Sequence, residues 1–301
     1  MRRIEDSKKT VVAMILLVSL GLGATSVQAV DGVIEINAAS AAVGSITPGD
    51  TPGFPVTLSE QGSYRLTSNL QVPDLDTTGI LITASFVSLD LNGFTIFGPG
   101  GGLGQGDGID GSSTSVSGVV IRNGTVRGMG SDGIRLSHRA RVEKVHATGN
   151  DFNGINLGEG SIVRDCIASL NGGAGIRVDD GSSLVGNTSL DNDFNGLDLG
   201  QGSVAMGNAS MGNDRSGLIA SSSVTVVNNS LLNNGLDGAR VGQGSLLQGN
   251  TARDNTLFGF DFTGLGSAYG GNVLSSNGSG TILGIGVQVD SNACNSSTSC
   301  P

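Results

Sequence analysis

Gly154-Ile-Asn-Leu157, Gly175-Ile-Arg-Val178 and Gly196-Leu-Asp-Leu199 are one short phrase written three times, each copy 21 residues after the last. The phase extends both ways, through Gly133, Gly154, Gly175, Gly196, Gly217, Gly238, Gly259 and Gly280. One residue after each of the first seven glycines comes an apolar side chain (Ile134, Ile155, Ile176, Leu197, Leu218, Ala239, Phe260). Two residues further on comes another (Leu136, Leu157, Val178, Leu199, Ala220, Val241, Phe262). Apolar, outward, apolar is the alternation of a short half-buried strand. A fixed period of this length means stacked coils, each burying its apolar face against its neighbours.

Other rows keep the same phase. Asn150, Asn171, Asn192, Asn213, Asn234 and Asn255 form one, and Asn187, Asn208, Asn229 and Asn250 another. Asparagine suits turns, and stacked amides can hydrogen-bond from coil to coil. Between them run Val142, Val163, Leu184, Ala205, Val226 and Leu247, and then Ala147, Ala168, Ser189, Ser210, Leu231 and Ala252. Each coil therefore holds about three short strands separated by Gly/Asn turns, with equivalent strands stacked in parallel. The 51 glycines, 4% aromatics and absence of Trp would otherwise suggest disorder, but phased glycine argues for order.

Asn187-Thr-Ser-Leu-Asp-Asn192, Asn208-Ala-Ser-Met-Gly-Asn213 and the Gly-Ile-x-Leu strands resemble the right-handed parallel β-helix proteins of the pectate-lyase-like superfamily. The resemblance covers about residues 79–283 and implies an all-β fold, a solenoid of about ten coils. That superfamily hosts lyases, hydrolases, epimerases and non-enzymes, so the fold alone does not select an activity. The chain lacks the Asn-Thr-Asp, Asp-Asp and Gly-His-Gly set of polygalacturonases and the Asp-Pro-His element of alginate epimerases. The calcium set of pectate lyases has no residue-by-residue match.

Four segments are expected. Residues 1–29 read as a secretory signal, with Arg2, Arg3, Lys8 and Lys9 before an apolar run over 11–23 and Val27-Gln-Ala29 as cleavage site. Residues 30–78 read as an N-terminal cap and connector, with a short helix begun by Asn37. The coil spans 79–289. Residues 290–301 form a tail closed by a Cys294–Cys300 disulfide, in keeping with export. Cys166 falls on the inward position of Asn187 one coil earlier, as a buried thiol. Without its leader the chain carries 12 basic and 24 acidic residues, a balance that disfavours nucleic acid and anionic membranes as partners.

The outward residues of the glycine strands form the row Asp110, Arg135, Asn156, Arg177, Asp198, Ile219, Arg240, Asp261. Such a face offers a groove to an extended polymer, with Arg135, Asn156, Arg177 and Asp198 as its substrate-binding candidates. A solvated face with alternating charge is the plainer account. Seven of the 12 mature basic residues, with both histidines, lie between Arg122 and Arg164. Arg122, Glu143 and Arg164 should stack as a surface salt ladder. Arg127, Arg135, Arg139, Arg141 and His138 have no such partner, and Asp107, Asp110 and Asp132 lie nearby. In a uronate lyase or epimerase a cation neutralises the carboxylate and a base takes the C5 proton, roles that Arg135 and His138 could fill. Asp110 and Asp132 are the accompanying carboxylates. No cofactor is required. The one place for calcium is the stack of Glu159, Asp179, Asp180 and Asp198, though the nonapeptide of calcium-binding β-rolls is missing.

The even coils carry only one long insertion, over 98–106, expected as a flexible protrusion overhanging the Arg135 end of the row. That regularity favours an exported protein with a non-catalytic carbohydrate-binding or surface role, its partner an extracellular polysaccharide. The alternative is a polysaccharide lyase or epimerase acting on an acidic polysaccharide.

Overall fold

The computed structural model describes residues 32–295 and Cys300. The expected signal over 1–29 lies outside them. Every ladder between paired strands is parallel, and the strands wind through about eleven turns. Three strands recur in each regular turn, as in Ile176–Val178, Ser183–Val185 and Thr188–Leu190. Each pairs with its counterpart one coil away: Ile155↔Ile176↔Leu197, Val163↔Leu184↔Ala205 and Ala168↔Ser189↔Ser210. Ile155 and Leu157 are buried while Asn156 between them is turned outward, as the alternation requires.

The glycine row owes its identity to packing. Its regular members have ordinary φ angles, so left-handed backbone is not the cause. A Cβ built on Gly154 would stand 2.7 Å from Asn171 Nδ2 and 2.7 Å from the Gly175 carbonyl oxygen. The same happens at Gly133 against Asn150, Gly217 against Asn234 and Gly238 against Asn255. The asparagine amide thus occupies the volume that any other residue in the glycine row would claim.

The amides are fully used. Asn171 Nδ2 donates to Asn192 Oδ1 at 2.9 Å and to the Ala147 carbonyl at 3.2 Å. Its backbone N–H donates to the same Asn192 oxygen. Its own Oδ1 accepts from the N–H and the amide of Asn150. The second row repeats this from Asn187 to Asn292, and its first acceptor receives the Cys166 N–H. Cys166 is buried, its Sγ faces the Arg164 carbonyl at 3.2 Å, and burial pushes its thiol up to about 12.

Two further rows were not apparent in the sequence. Ser161, Ser182, Ser203, Ser245 and Ser267 accept backbone N–H groups of the preceding coil. Asp107, Asp132, Asn153, Asn195 and Asp237 accept those of the following coil. Turn polar groups are thereby satisfied inside the stack, where leaving one unpaired costs about 1–3 kcal/mol.

The observed ends differ from the expected segments. The solenoid begins before residue 79: Val33–Ile36, Val56–Leu58, Gly62–Leu66 and Leu70–Gln71 already pair in register with the coil above them. This adds the turn that a count of ten misses. Coil lengths there vary from Val56 to Ile80 to Ile109, so no fixed period marks them in the sequence. The short helix is present over Ala38–Val43, with a capping box between Asn37 and Ser40 and Ala41 in the core. At the other end the register slips by one residue. Gly280 pairs with Phe258, and Gly259 is stacked on Thr281. The asparagine rows follow this shift to Asn272 and Asn277. Ala293–Cys294 forms the last strand, and Cys294 is joined to Cys300.

Replacing Asn192 by Leu removes the partner of Asn171 and of the Ser189 hydroxyl together. We expect a loss of about 2 kcal/mol or more, read as a lower denaturant midpoint. An unchanged midpoint would mean that the amide rows are incidental.

Candidate functional site

Parallel pairing carries the outward row in register: Leu81, Asp110, Arg135, Asn156, Arg177, Asp198, Ile219, Arg240, Asp261 and Leu283. Successive members are about 4.8 Å apart, because that is the spacing of hydrogen-bonded strands. The row is not uniform. Arg240 pairs with Asp261 at 3.2 Å, which closes its C-terminal end as a salt bridge. Asp110 Oδ1 accepts the Ser112 N–H at 2.9 Å and serves its own turn. Arg135 and Arg177 are exposed, and neither forms a salt bridge with a described residue.

A cleft of ≈ 320 Å³ lies along this stretch, lined by Arg135, Ser137, His138, Asn156, Arg177 and Asp179, with Ser112 and Thr114 at one end. His138 comes from the turn after the glycine strand, so its ring flanks the row. Its Nδ1 has no hydrogen-bond partner and faces Glu159 Oε1 at 3.6 Å. Beside the cleft His138, Glu159, Asp179 and Asp180 share a shallow depression. The cleft therefore has cations along its floor and acids along one edge, in line with the mixed charge of the row.

Asp132 is buried under the row. Its Oδ1 accepts the Asn153 N–H and amide, and its Oδ2 accepts the Asn156 amide at 2.9 Å. It is a support that orients Asn156, not a free base. Burial raises its carboxyl above the ordinary range, against the hydrogen bonds from Asn156 and Asn153. Asp107 sits one coil away, where it accepts the Asp132 N–H at 2.8 Å. Burial first, then the neighbouring charges of Asp132 and Asp110, push it up to about 6. Burial also raises Asp198, opposed by Arg177 and reinforced by Asp179.

Several expectations need correction. Arg122 pairs with Asp90 at 3.2 Å and Arg141 with Glu143 at 3.7 Å, so the salt ladder along Arg122, Glu143 and Arg164 is in register but not paired as expected. Arg127 lies over the Phe97 ring at 5.0 Å. Residues 98–106 do not line the cleft. They are tied to the adjoining turns by Gly104 N–H to the Gly130 carbonyl, Gly106 N–H to the Leu75 carbonyl and Gly102 N–H to Asp151. Of the calcium candidates, Glu159, Asp179 and Asp180 share the depression while Asp198 lines a different pocket, and among the described residues no group of three or more His, Cys, Asp or Glu is placed to hold a metal.

The sequence reading missed the aromatic side of the row. Phe152 and Phe194 sit in equivalent turns two coils apart and, with Arg177 and Asp198, line a second pocket. The signal was available, since Ser131, Phe152, Gly173, Phe194 and Arg215 keep the 21-residue phase.

The chain folds as an all-parallel β-solenoid of about eleven turns, the architecture of a parallel β-helix. A family model described as "Right handed beta helix region" matches residues 68–213. Among solved structures, the Azotobacter vinelandii mannuronan C-5 epimerase AlgE4 A-module is similar at a TM-score of 0.54 and 17% identity, over 88% of this chain and 86% of that one. The periplasmic alginate epimerase AlgG is similar at 0.55 and 18% identity, over 86% of this chain and 83% of that one. At such identity the likeness is one of fold. A comparison with curated proteins finds no match.

The raised Asp107 carboxyl makes a pH prediction. Its pKa in the folded chain, about 6, exceeds its ordinary value of 3.8, so the folded state holds the proton more tightly. Stability should then fall as pH rises from about 4 through about 6. Asp107→Asn keeps an acceptor for the Asp132 N–H without the charge. It should stabilise at pH 7 by on the order of 2 kcal/mol, with the gain shrinking towards pH 4. Denaturant midpoints at the two pH values check this, and an equal shift at both would contradict it.

Proposed function

We propose that the protein binds an acidic polysaccharide along the Arg135–Asn156–Arg177 row and modifies its uronate units as an epimerase or lyase. The observation that supports this is the grouping, in one cleft, of an imidazole and two exposed guanidinium groups that form no salt bridge with a described residue. A guanidinium meets a carboxylate through two parallel N–H bonds, a match that a neutral sugar cannot use. The acidic edge suits the hydroxyls of the same unit, which donate to carboxylates.

In the reaction, a carboxylate held by Arg135 loses part of its negative charge, which lowers the barrier to breaking the adjacent C5–H bond. His138 Nε2 takes that proton, and the electron pair passes into the carboxyl group. Glu159 steadies the imidazolium that forms. Delivery of a proton from solvent water to the opposite face of C5, with His138 later losing its own proton to solvent, gives epimerisation. Expulsion of the C4 oxygen with formation of a C4=C5 double bond gives elimination. The neighbours bearing epimerase names favour the first outcome. The substrate would lie outside the cell membrane, in keeping with the leader read over 1–29. No helix among the described residues is long and apolar enough to cross a membrane.

Non-catalytic glycan binding is the second reading, favoured by the fact that residues 98–106 leave the cleft uncovered. Purified protein incubated with polymannuronate and with polygalacturonate separates the two. Proton NMR reports C5 inversion, and ultraviolet absorbance reports unsaturated ends. Wild type should turn over at least one polymer, with His138→Ala and Arg135→Ala each reducing kcat/KM by about a hundredfold or more. Binding that weakens with salt but without turnover would leave the binding reading alone. Wild type that binds neither polymer at low ionic strength would remove both.

A further inference from the structure

The turn preceding each glycine strand presents one residue beside the row, and backbone hydrogen bonds fix its sequence: Phe152 N–H to the Ser131 carbonyl, Gly173 to Phe152, Arg215 to Phe194 and Leu236 to Arg215. Phe152 and Phe194 therefore bracket a coil whose own residue has no side chain. Gly173 is held to that identity, since a Cβ there would stand 2.8 Å from Asn153 Oδ1 and 2.9 Å from the Phe152 carbonyl carbon. The result is a slot of ≈ 240 Å³ with Phe152 and Phe194 in its lining, and Asn153, Arg177 and Asp198 beside them.

The orientation of one ring follows from its other neighbour. Arg215, one coil beyond, lies over the Phe194 ring with Cζ 3.9 Å from the centroid. One face of Phe194 is thus covered by a guanidinium, and the ring shares the slot with Gly173. Two coil rises of about 4.8 Å place the two turns about 9.6 Å apart. That separation of two strand spacings is wide enough to admit one flat ring between the two turns. Both phenylalanines are substantially exposed, at 51% and 37%, an unusual placement unless something covers them.

We propose that this slot is a sugar subsite that sandwiches one hexuronate pyranose ring between Phe152 and Phe194, with its carboxylate on Arg177 and a hydroxyl on Asp198. The proposal rests on the acidic-polysaccharide function above and says where one unit of that chain is gripped. Arg177 lines both the slot and the cleft, so the two are continuous. The axial C–H groups of a pyranose supply the apolar faces that the rings need. A purely aromatic occupant would make no use of the Arg177 and Asp198 side chains that line the same slot. The slot stands beside the row, so it contributes grip on the chain and no proton transfer.

The test is titration of the full chain with trimers of mannuronate and of galacturonate, followed by calorimetry and by proton NMR of the sugar. In wild type the ring protons of one sugar unit should move upfield from the ring currents of the two phenylalanines. Phe152→Ala and Phe194→Ala should each weaken binding roughly tenfold and erase those shifts. Phe194→Leu, which keeps bulk without a ring, should behave like Ala, and Phe194→Tyr should behave like wild type. In turnover the alanine variants should raise KM with kcat held. Far-UV circular dichroism shows that each variant is folded. Unchanged affinity and shifts in both alanine variants would overturn the slot while leaving the Arg135 cleft standing. Indole competing for the phenylalanines without displacing the trimer would overturn the chosen occupant. A wild type that binds no trimer would overturn the slot and the function together.

Discussion

The interaction on which everything else depends is the lock between a stacked asparagine and the glycine it covers. An asparagine amide such as that of Asn171 ties the coil on either side of its own, through Asn192 and through the Ala147 carbonyl. It can reach them only because Gly154 leaves its space empty. Either row alone would be a liability: buried amides without partners are costly, and glycine in a strand weakens it. Together they hold the coils at one spacing and one phase. The apolar rows between them, from Ile134 to Phe260, then bury without gaps, each large side chain contributing about 1.5–3 kcal/mol.

That lock also builds the site. When each coil repeats the last in register, a side chain on the outer face has a neighbour at a fixed distance above and below. Function is then written by substitution at a few outward positions without disturbing the core. Arg135, Asn156 and Arg177 form a ruler of alternating charged and amide groups, and Asp132 anchors the middle of it from beneath. The turn row beside it is varied in the same way, from Phe152 through Gly173 to Phe194. Asp132 and Asn156 take part in the stack's own hydrogen bonding, but the exposed Arg135 and Arg177 and the rings of Phe152 and Phe194 do not. Their placement is therefore better accounted for by a ligand that runs along the axis than by stability.

Strand positions, burial alternation, the helix at Asn37 and the phase of both asparagine rows were legible in the sequence, because each is fixed by a period. What broke the period was not legible. The first coils were hidden by variable lengths, and the slip between Gly259 and Thr281 was hidden by a glycine one residue away. The reason for the glycine row was also invisible, since it depends on contact between residues 17 positions apart, as with Gly154 and Asn171. Charge pairing was read only in part: the 21-residue phase placed Glu143 between Arg122 and Arg164, but those long side chains turned to Asp90 and Arg141 instead. The aromatic slot was missed because low aromatic content was weighed over the whole chain. Two phenylalanines in one phase matter more than seven elsewhere.

The central claim is that an acidic glycan lies along the solenoid axis over Arg135, Asn156 and Arg177. A crystal structure of the protein with a bound oligouronate tests it most directly. The account predicts density for successive sugar units running parallel to the axis, with carboxylates on the two arginines and the Asn156 amide between them. Sugar bound across the coils on another face, with Arg135 and Arg177 left to solvent, would contradict it.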